Sequence, residues 1–328
     1  MLDSPPSLAS PRDRLRAHLP PLEWGLVEPL LEAIERLKQE RNAVILGHNY
    51  MTPDIYHGVA DITGDSLALA REAAQTDAEV IVMAGVRFMA ETAKVVSPER
   101  IVLLPDLQAG CSLAEGITGE DVRRLRALHP GVPVVTYVNT SAEVKAESDI
   151  CCTSSNAVRI VESLGVERVI FLPDRYLGQW VASQTGVEVI LWDGSCIVHE
   201  RFSGGEIRDY RQGVDGLRVI AHPECPPDVL AEADYVGSTT GMARWVAEHR
   251  PERVLMVTEC SMSDNVALEH PEVEFVRPCN LCPHMKRITL EKIRRSLETM
   301  RYEILLPEAV AVRARVAVQR MLAVGRAG

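Results

Sequence analysis

Three stretches of the chain read as versions of one another: Leu104-Pro105-Asp106-Leu107-Gln108-Ala109-Gly110-Cys111, Leu191-Trp192-Asp193-Gly194-Ser195-Cys196 and Val276-Arg277-Pro278-Cys279-Asn280-Leu281-Cys282. Each follows a short apolar run with the character of a strand (Ile101 to Leu104, Val187 to Leu191, Val273 to Val276), and each sets a cysteine in the loop beyond. The cysteines stand 85 and 86 residues apart. A residue recurring at one place in three successive units meets its counterparts at a point if the units surround a pseudo-threefold axis, so the spacing predicts three like units around a central site.

The rest of the chain supports three repeats. Apolar strands alternate with helical stretches, the pattern of βαβ units and parallel sheets. The first strand of each repeat reads as Ala43 to Gly47, Val132 to Val138 and Leu217 to Ala221, and the second as Val80 to Ala84, Arg168 to Leu172 and Arg253 to Val257. The third is the strand leading to the cysteine, which makes every repeat three strands with helices between. Ala60-Asp61-Ile62-Thr63-Gly64-Asp65-Ser66, Ser148-Asp149-Ile150-Cys151-Cys152-Thr153-Ser154 and Ala233-Asp234-Tyr235-Val236-Gly237-Ser238-Thr239 also align, each with a hydroxyl five residues after its first Asp. The fold class is therefore α/β: three pseudo-threefold-related three-layer αβα domains, each with a short parallel sheet.

Turn signals at His129-Pro130-Gly131 and Gly213-Val214-Asp215-Gly216 divide the chain into an N-terminal extension and helix (1–41), repeat 1 (42–130), repeat 2 (131–215) and repeat 3 with C-terminal helices (216–328). Residues 1–21, rich in Pro and Ser, are expected to be poorly ordered. Leu22 to Arg41 has helical periodicity and packs on the first repeat. Two amphipathic stretches, Lys286 to Met300 and Pro307 to Leu322, are expected to cover the last repeat.

A net charge of −11 argues against nucleic-acid binding, which needs a basic face. No stretch has the apolar length of a membrane span, and the first twenty residues lack the apolar core of a signal peptide, so a cytoplasmic location is expected. In a reducing compartment eight cysteines favour metal binding or burial over a disulfide framework. Any single cysteine is more often simply buried; repetition at equivalent positions turns the balance toward ligation for Cys111, Cys196 and Cys282. Cys151 and Cys152 read as buried or as shaping the Ser154 turn, Cys225 and Cys260 as core, and Cys279 as redox partner of Cys282, substitute ligand or bystander.

Ligands of parallel α/β units collect at the carboxyl ends of strands, beside helix N-termini. The first strands end at His48-Asn49-Tyr50, Tyr137-Val138-Asn139 and His222-Pro223-Glu224, where hydrogen-bonding and proton-transferring residues replace apolar ones. Ser66, Ser154 and Thr239 stand at helix starts. As ordinary N-caps they carry no function, but three converging on one cavity suit an anionic ligand such as a phosphate or dicarboxylate. His199, three residues after Cys196, reaches the same cavity or orients its loop. Glu224 is a general-base candidate if its surroundings bring its pKa near a useful value, and otherwise a surface Glu after a Pro. Three thiolates suit a [4Fe–4S] cluster with one open iron, while a closed zinc site would ask for a fourth ligand close by.

These residues resemble the quinolinate synthase family through Gly47-His48-Asn49-Tyr50, Gly64-Asp65-Ser66, Met89-Ala90-Glu91-Thr92-Ala93-Lys94, Gly110-Cys111-Ser112, Tyr137-Val138-Asn139-Thr140, Cys151-Cys152-Thr153-Ser154, His222-Pro223-Glu224-Cys225 and Cys282-Pro283-His284-Met285. The resemblance implies condensation of iminoaspartate with dihydroxyacetone phosphate to quinolinate, with release of phosphate and water, in NAD biosynthesis. It implies a [4Fe–4S] cluster on Cys111, Cys196 and Cys282, whose open iron is a Lewis acid. It makes His48, Ser66, Tyr137, Asn139, Ser154, His222, Glu224 and Thr239 substrate-holding residues and Tyr50, His199 and Glu224 proton carriers, with an L-aspartate oxidase as the source of the imine. The residues alone leave open another iron–sulfur hydro-lyase, a redox sensor, and a zinc-structured scaffold.

Overall fold

The computed structural model describes residues 10–324. Among them are three four-stranded, wholly parallel sheets. The first contains β1 (Ala43–His48), β2 (Ile62–Gly64), β3 (Val80–Ala84) and β4 (Ile101–Leu103) in the order 2-1-3-4. The second repeats that order with β5 (Val134–Tyr137), β6 (Ile150–Cys152), β7 (Arg168–Leu172) and β8 (Glu188–Leu191), and the third with β9 (Leu217–Ala221), β10 (Tyr235–Val236), β11 (Arg253–Val257) and β12 (Glu274–Val276). Central strands are runs of Val, Ile, Leu and Met with both faces covered, as parallel sheets require; β3 is buried along its whole length.

Each sheet thus has four strands where the sequence pattern predicts three. The additional strands, β2, β6 and β10, are edge strands of two or three residues lying inside the aligned Asp61, Asp149 and Asp234 segments. Those aspartates explain the alignment. Asp61 Oδ2 accepts the Ile45 N–H (2.8 Å), Asp149 Oδ2 that of Val134 (2.7 Å) and Asp234 Oδ2 that of Val219 (2.7 Å), pinning each edge to its first strand. A cation from the preceding helix faces each one: Lys38 at 2.6 Å, Arg126 at 2.7 Å and Arg211 at 2.8 Å. Cys151 and Cys152 lie on β6 and are buried, as core residues.

Two terminal expectations are corrected. Residues 1–9 of the Pro- and Ser-rich stretch lie outside the described residues, but Pro11–His18 is a helix. Ser10 and Asp13 form its capping box, Pro11 occupies its first turn and Leu15 is buried. The C-terminal helices do not cover the third sheet. Leu290–Thr299 packs on the Pro21–Arg41 helix and β3, while Glu308–Val324 packs on Ala142–Ala146, β6 and Arg87–Val96. The intervening chain turns back onto β4, where Leu103 bridges Glu303 and the Leu104 N–H donates to Tyr302 O (3.0 Å). The return follows from the apolar faces left open on the first two units, which the Ala- and Val-rich final helix fills with Ala314, Ala317, Val318 and Met321. No helix among the described residues is long and apolar enough to cross a membrane.

Candidate functional site

The three cysteine loops share one backbone construction. After the second strand of each repeat, the first residue of a helix donates its N–H to the carbonyl two residues before the cysteine: Arg87 to Ala109 (2.8 Å), Arg175 to Gly194 (2.8 Å) and Cys260 to Asn280 (3.1 Å). Beyond each cysteine the chain enters a short helical turn whose N–H groups face the sulfur: Leu113 and Ala114 for Cys111, Val198 and His199 for Cys196, His284 and Met285 for Cys282. Burial pushes the Cys111 thiol up to about 12 and raises those of Cys196 and Cys282, while the paired N–H groups work the other way, toward thiolate. Ser112 ties two loops together, its Oγ donating to Ser195 O (3.2 Å) and accepting the Ile197 N–H (3.2 Å).

All three cysteines line one cavity. The same cavity is lined by His48, Tyr50, Ser66, Tyr137, Asn139, Ser154, His199, His222, Glu224 and Thr239, so every site residue predicted from the sequence comes together here. Cys225 is buried, with its thiol donating to Val257 O (3.5 Å). Cys279 is paired with Cys260 in a disulfide, which corrects both its reading as a partner of Cys282 and the reading of Cys260 as a lone core residue. Cys282 is left with a free thiol facing the cavity.

The first-strand ends build the opposing wall. The Tyr50 N–H donates to His48 Nδ1 (3.2 Å) and the Glu224 N–H to His222 Nδ1 (3.4 Å), so each ring keeps its proton on Nε2 when neutral. Burial presses His48 down to about 4 and His222 to about 3, which makes both neutral near pH 7. His222 Nε2 lies 3.2 Å from Ser154 Oγ, and its ring stacks on His199 with centroids 4.7 Å apart. His199 Nδ1 lies 2.7 Å from Glu224 Oε2, a close contact that is not aligned along the ring N–H. On the other side its Nε2 is 3.0 Å from Thr258 Oγ1, which is itself 2.6 Å from the Tyr50 hydroxyl.

Glu224 departs from expectation. Burial works to raise its pKa, but the His199 and His222 rings and the Tyr137 hydroxyl turned toward it prevail and hold it at about 2. It is a standing anion, whereas the general-base reading asked for a pKa near neutrality. Tyr50 and Tyr137, pushed well above the usual phenol range first by burial and then by the nearby Glu224 charge, keep their protons.

The three hydroxyls are not the helix caps. Asp65 caps Ser66–Gln75 through the Ala68 N–H, Asn156 precedes Ala157–Ser163, and Ser238 caps Thr239–His249 through the Gly241 N–H. Capping by Asp65 and Ser238 leaves Ser66 and Thr239 free to line the cavity, Ser154 lines it from the turn before Ala157–Ser163, and Thr239 Oγ1 accepts from Asn49 Nδ2 of the first repeat (2.8 Å).

Sequence reasoning missed Thr258, Glu259 and Lys286. Glu259 is wholly buried and accepts the N–H of Cys282 (3.2 Å) and of Ser261 (2.9 Å) while pairing with Lys286 at 2.9 Å. Lys286 also donates to Tyr50 O (2.7 Å), joining the Cys282 loop to the Tyr50 wall. Their only signal was position, at the end of the second strand and just beyond the third cysteine.

The donor set suits a metal group held by thiolates. Thiols are soft ligands that a bound metal deprotonates, and the six converging N–H groups are arranged to stabilise their negative charge. Cys196, His199 and Glu224 also present donor atoms within 4.8 Å of one another, near enough for one ion to touch all three, although the Glu224 carboxylate is already engaged by His199.

Comparison with known proteins gives a consistent result. Residues 32–323 match the family model described as quinolinate synthetase A protein. Quinolinate synthase 1 of Mesorhizobium japonicum is 63% identical over 317 residues, covering 97% of this chain and 98% of that protein. Quinolinate synthase of Agrobacterium fabrum is 60% identical over 316 residues (96% and 92%), and that of Xylella fastidiosa 60% over 294 residues (90% and 87%).

Proposed function

The chain belongs to the quinolinate synthetase A protein family, and from that premise we propose that it is a cytoplasmic transferase of NAD biosynthesis that condenses iminoaspartate with dihydroxyacetone phosphate, releasing quinolinate, phosphate and water. An L-aspartate oxidase would supply the imine. The observation that carries the reading is the convergence of three soft thiols, three hydroxyls and the first-strand residues on one cavity.

Cys111, Cys196 and Cys282 would hold a [4Fe–4S] cluster; when bound, its iron without a protein ligand supplies Lewis acidity toward a substrate oxygen. The chain's own groups account for the rest. Both substrates are anionic, and Ser66 and Thr239 offer hydroxyls at helix N-termini, whose dipoles favour carboxylate and phosphate oxygens, with the Ser154 hydroxyl in the same cavity. Neutral His48 and His222 donate from Nε2 without adding charge. Glu224, held ionised, faces His199 Nδ1 and orients the ring toward Thr258 and Tyr50. His199 Nε2 is 3.4 Å from the Tyr50 hydroxyl, a contact across which a proton can pass toward the cavity. Enclosure by Val86, Phe88, Ile197 and Val198 limits water around an imine that water hydrolyses.

The test is made on protein purified without oxygen: iron, sulfide and zinc content with the visible spectrum, then quinolinate formation from dihydroxyacetone phosphate and enzymatically generated iminoaspartate. About four irons per chain with quinolinate production is the expected result, and Cys196→Ala should lose both together. An iron-containing but inactive protein would favour a hydro-lyase or a redox sensor, and zinc in place of iron would favour the single-ion grouping of Cys196, His199 and Glu224.

A further inference from the structure

We infer that Lys145 is a positioning residue for Asn139: its ammonium grips the backbone carbonyls on either side of Asn139 and fixes the amide that the cavity wall presents beside Glu224. The inference rests on the reading of this cavity as the quinolinate-forming site.

Lys145 lies in the Ala142–Ala146 helix and is 0% exposed. Its Nζ donates to Val138 O at 2.8 Å and to Thr140 O, the two residues flanking Asn139, and stands 5.6 Å from the centre of the Phe88 ring. Thr140 Oγ1 donates to Tyr137 O (3.1 Å), so the turn after β5 closes on itself with the ammonium at its centre. Glu91, the nearby acid, is committed elsewhere, to Arg87 at 3.0 Å and to the Ala142 N–H at 2.8 Å. A lysine buried against carbonyls is costly, and burial brings it down to about 8. In return it makes charge-assisted hydrogen bonds to two successive points of one turn, which a serine or threonine hydroxyl, with a single proton to donate, cannot reproduce.

The turn places Asn139 Nδ2 3.5 Å from Glu224 Oε1 and leaves Asn139 Oδ1 buried and, among the described residues, without a hydrogen-bond partner. An unfilled amide oxygen in the wall calls for a ligand donor, which an imine N–H or a hydroxyl provides. At the equivalent first-repeat position a lysine also meets the main chain, Lys286 donating to the carbonyl of Tyr50 itself (2.7 Å).

The experiment is a double-mutant cycle with a structural readout. Lys145→Met and Lys145→Gln are made in the wild-type and Asn139→Ala backgrounds. Crystal structures of the Lys145 variants should show the 137–140 turn reshaped and the Asn139 amide withdrawn from Glu224, whether or not the enzyme makes quinolinate. With quinolinate turnover as readout, Lys145→Met should lower kcat/KM at least ~10-fold in the wild-type background and less than ~2-fold in the Asn139→Ala background, as expected for residues acting as a unit. An unchanged turn, or equal losses in both backgrounds, would overturn the assignment. So would failure of both Lys145 variants to fold, since the lysine would then be a structural core residue. Absence of quinolinate from the wild-type enzyme would instead sink the functional reading and leave the positioning decided by the crystal structures.

Discussion

Replacing Lys286 with methionine separates charge from shape in the loop that carries Cys282. Lys286 donates to Tyr50 O (2.7 Å) and Ser261 Oγ (2.6 Å) and pairs with Glu259 at 2.9 Å, while the methionine stem fills much of the same volume. Glu259, with a side chain 0% exposed, would then keep only the N–H groups of Ser261 and Cys282. Breaking a buried pair from one side costs about 3–5 kcal/mol. Lys286 is 22% exposed and the stranded carboxyl can take up a proton, so the low end applies. For a chain of 328 residues about 3 kcal/mol lowers Tm by roughly 4 °C. Burial already raises the Glu259 pKa against the opposing pull of Lys286, and removing the lysine raises it further. A carboxyl with a raised folded pKa binds a proton more tightly folded than unfolded, so stability is lost as pH rises from the ordinary carboxyl pKa through the folded value. The loss should therefore be small at the acid end, near the ordinary carboxyl pKa, and grow as pH rises through the raised folded value, in thermal unfolding followed by circular dichroism. Adding Glu259→Gln should recover most of it. A loss independent of pH, or a double variant no more stable than Lys286→Met, would refute the buried-charge reasoning.

Two further outcomes are expected. Glu224→Gln should leave the metal content intact and lower kcat by about 100- to 10,000-fold, the range for losing proton-transfer assistance, because the charge 2.7 Å from His199 disappears; unchanged turnover would remove Glu224 from the machinery. Cys279→Ser should cost about 3 kcal/mol under oxidising conditions, the value for a closed loop of this size, given the 19-residue separation of Cys260 and Cys279. It should cost little in excess reductant, and identical melting of variant and wild type without reductant would refute a stabilising disulfide.

The repeat architecture was legible because one backbone solution is used three times and leaves fixed marks: apolar central strands, an aspartate pinning each edge, and a cysteine two residues past an anchoring carbonyl. What escaped notice had no periodic trace. The edge strands β2, β6 and β10 are too short to alternate and sit in polar segments because the pinning aspartates must be there. The C-terminal helices showed which face is apolar but not which unit it would cover. Cys260 and Cys279 meet because the Cys260 N–H binds Asn280 O, a contact between a helix start and a strand-end loop that sequence distance conceals.

Chemistry enters where the repeats stop agreeing. Two residues beyond His48, Tyr137 and His222, the same backbone position carries Tyr50, Asn139 and Glu224: a phenol that keeps its proton, a neutral amide and a carboxylate held ionised. The cysteines, by contrast, are identical in all three repeats, as the proposed role of equivalent ligands of one group asks. The pseudo-threefold frame therefore supplies two different things at once. Around the sulfurs it imposes equivalence, with matched anchors and matched N–H pairs, and across the cavity it holds three unlike groups in comparable geometry around one asymmetric ligand. The proposed joining of two unlike substrates into a single ring asks for such an arrangement, since a symmetric wall could not tell the carboxylates of one from the phosphate of the other. Thr239 fits the same logic: its hydroxyl is oriented by Asn49 of another repeat, so the units are specialised jointly at the contacts between them.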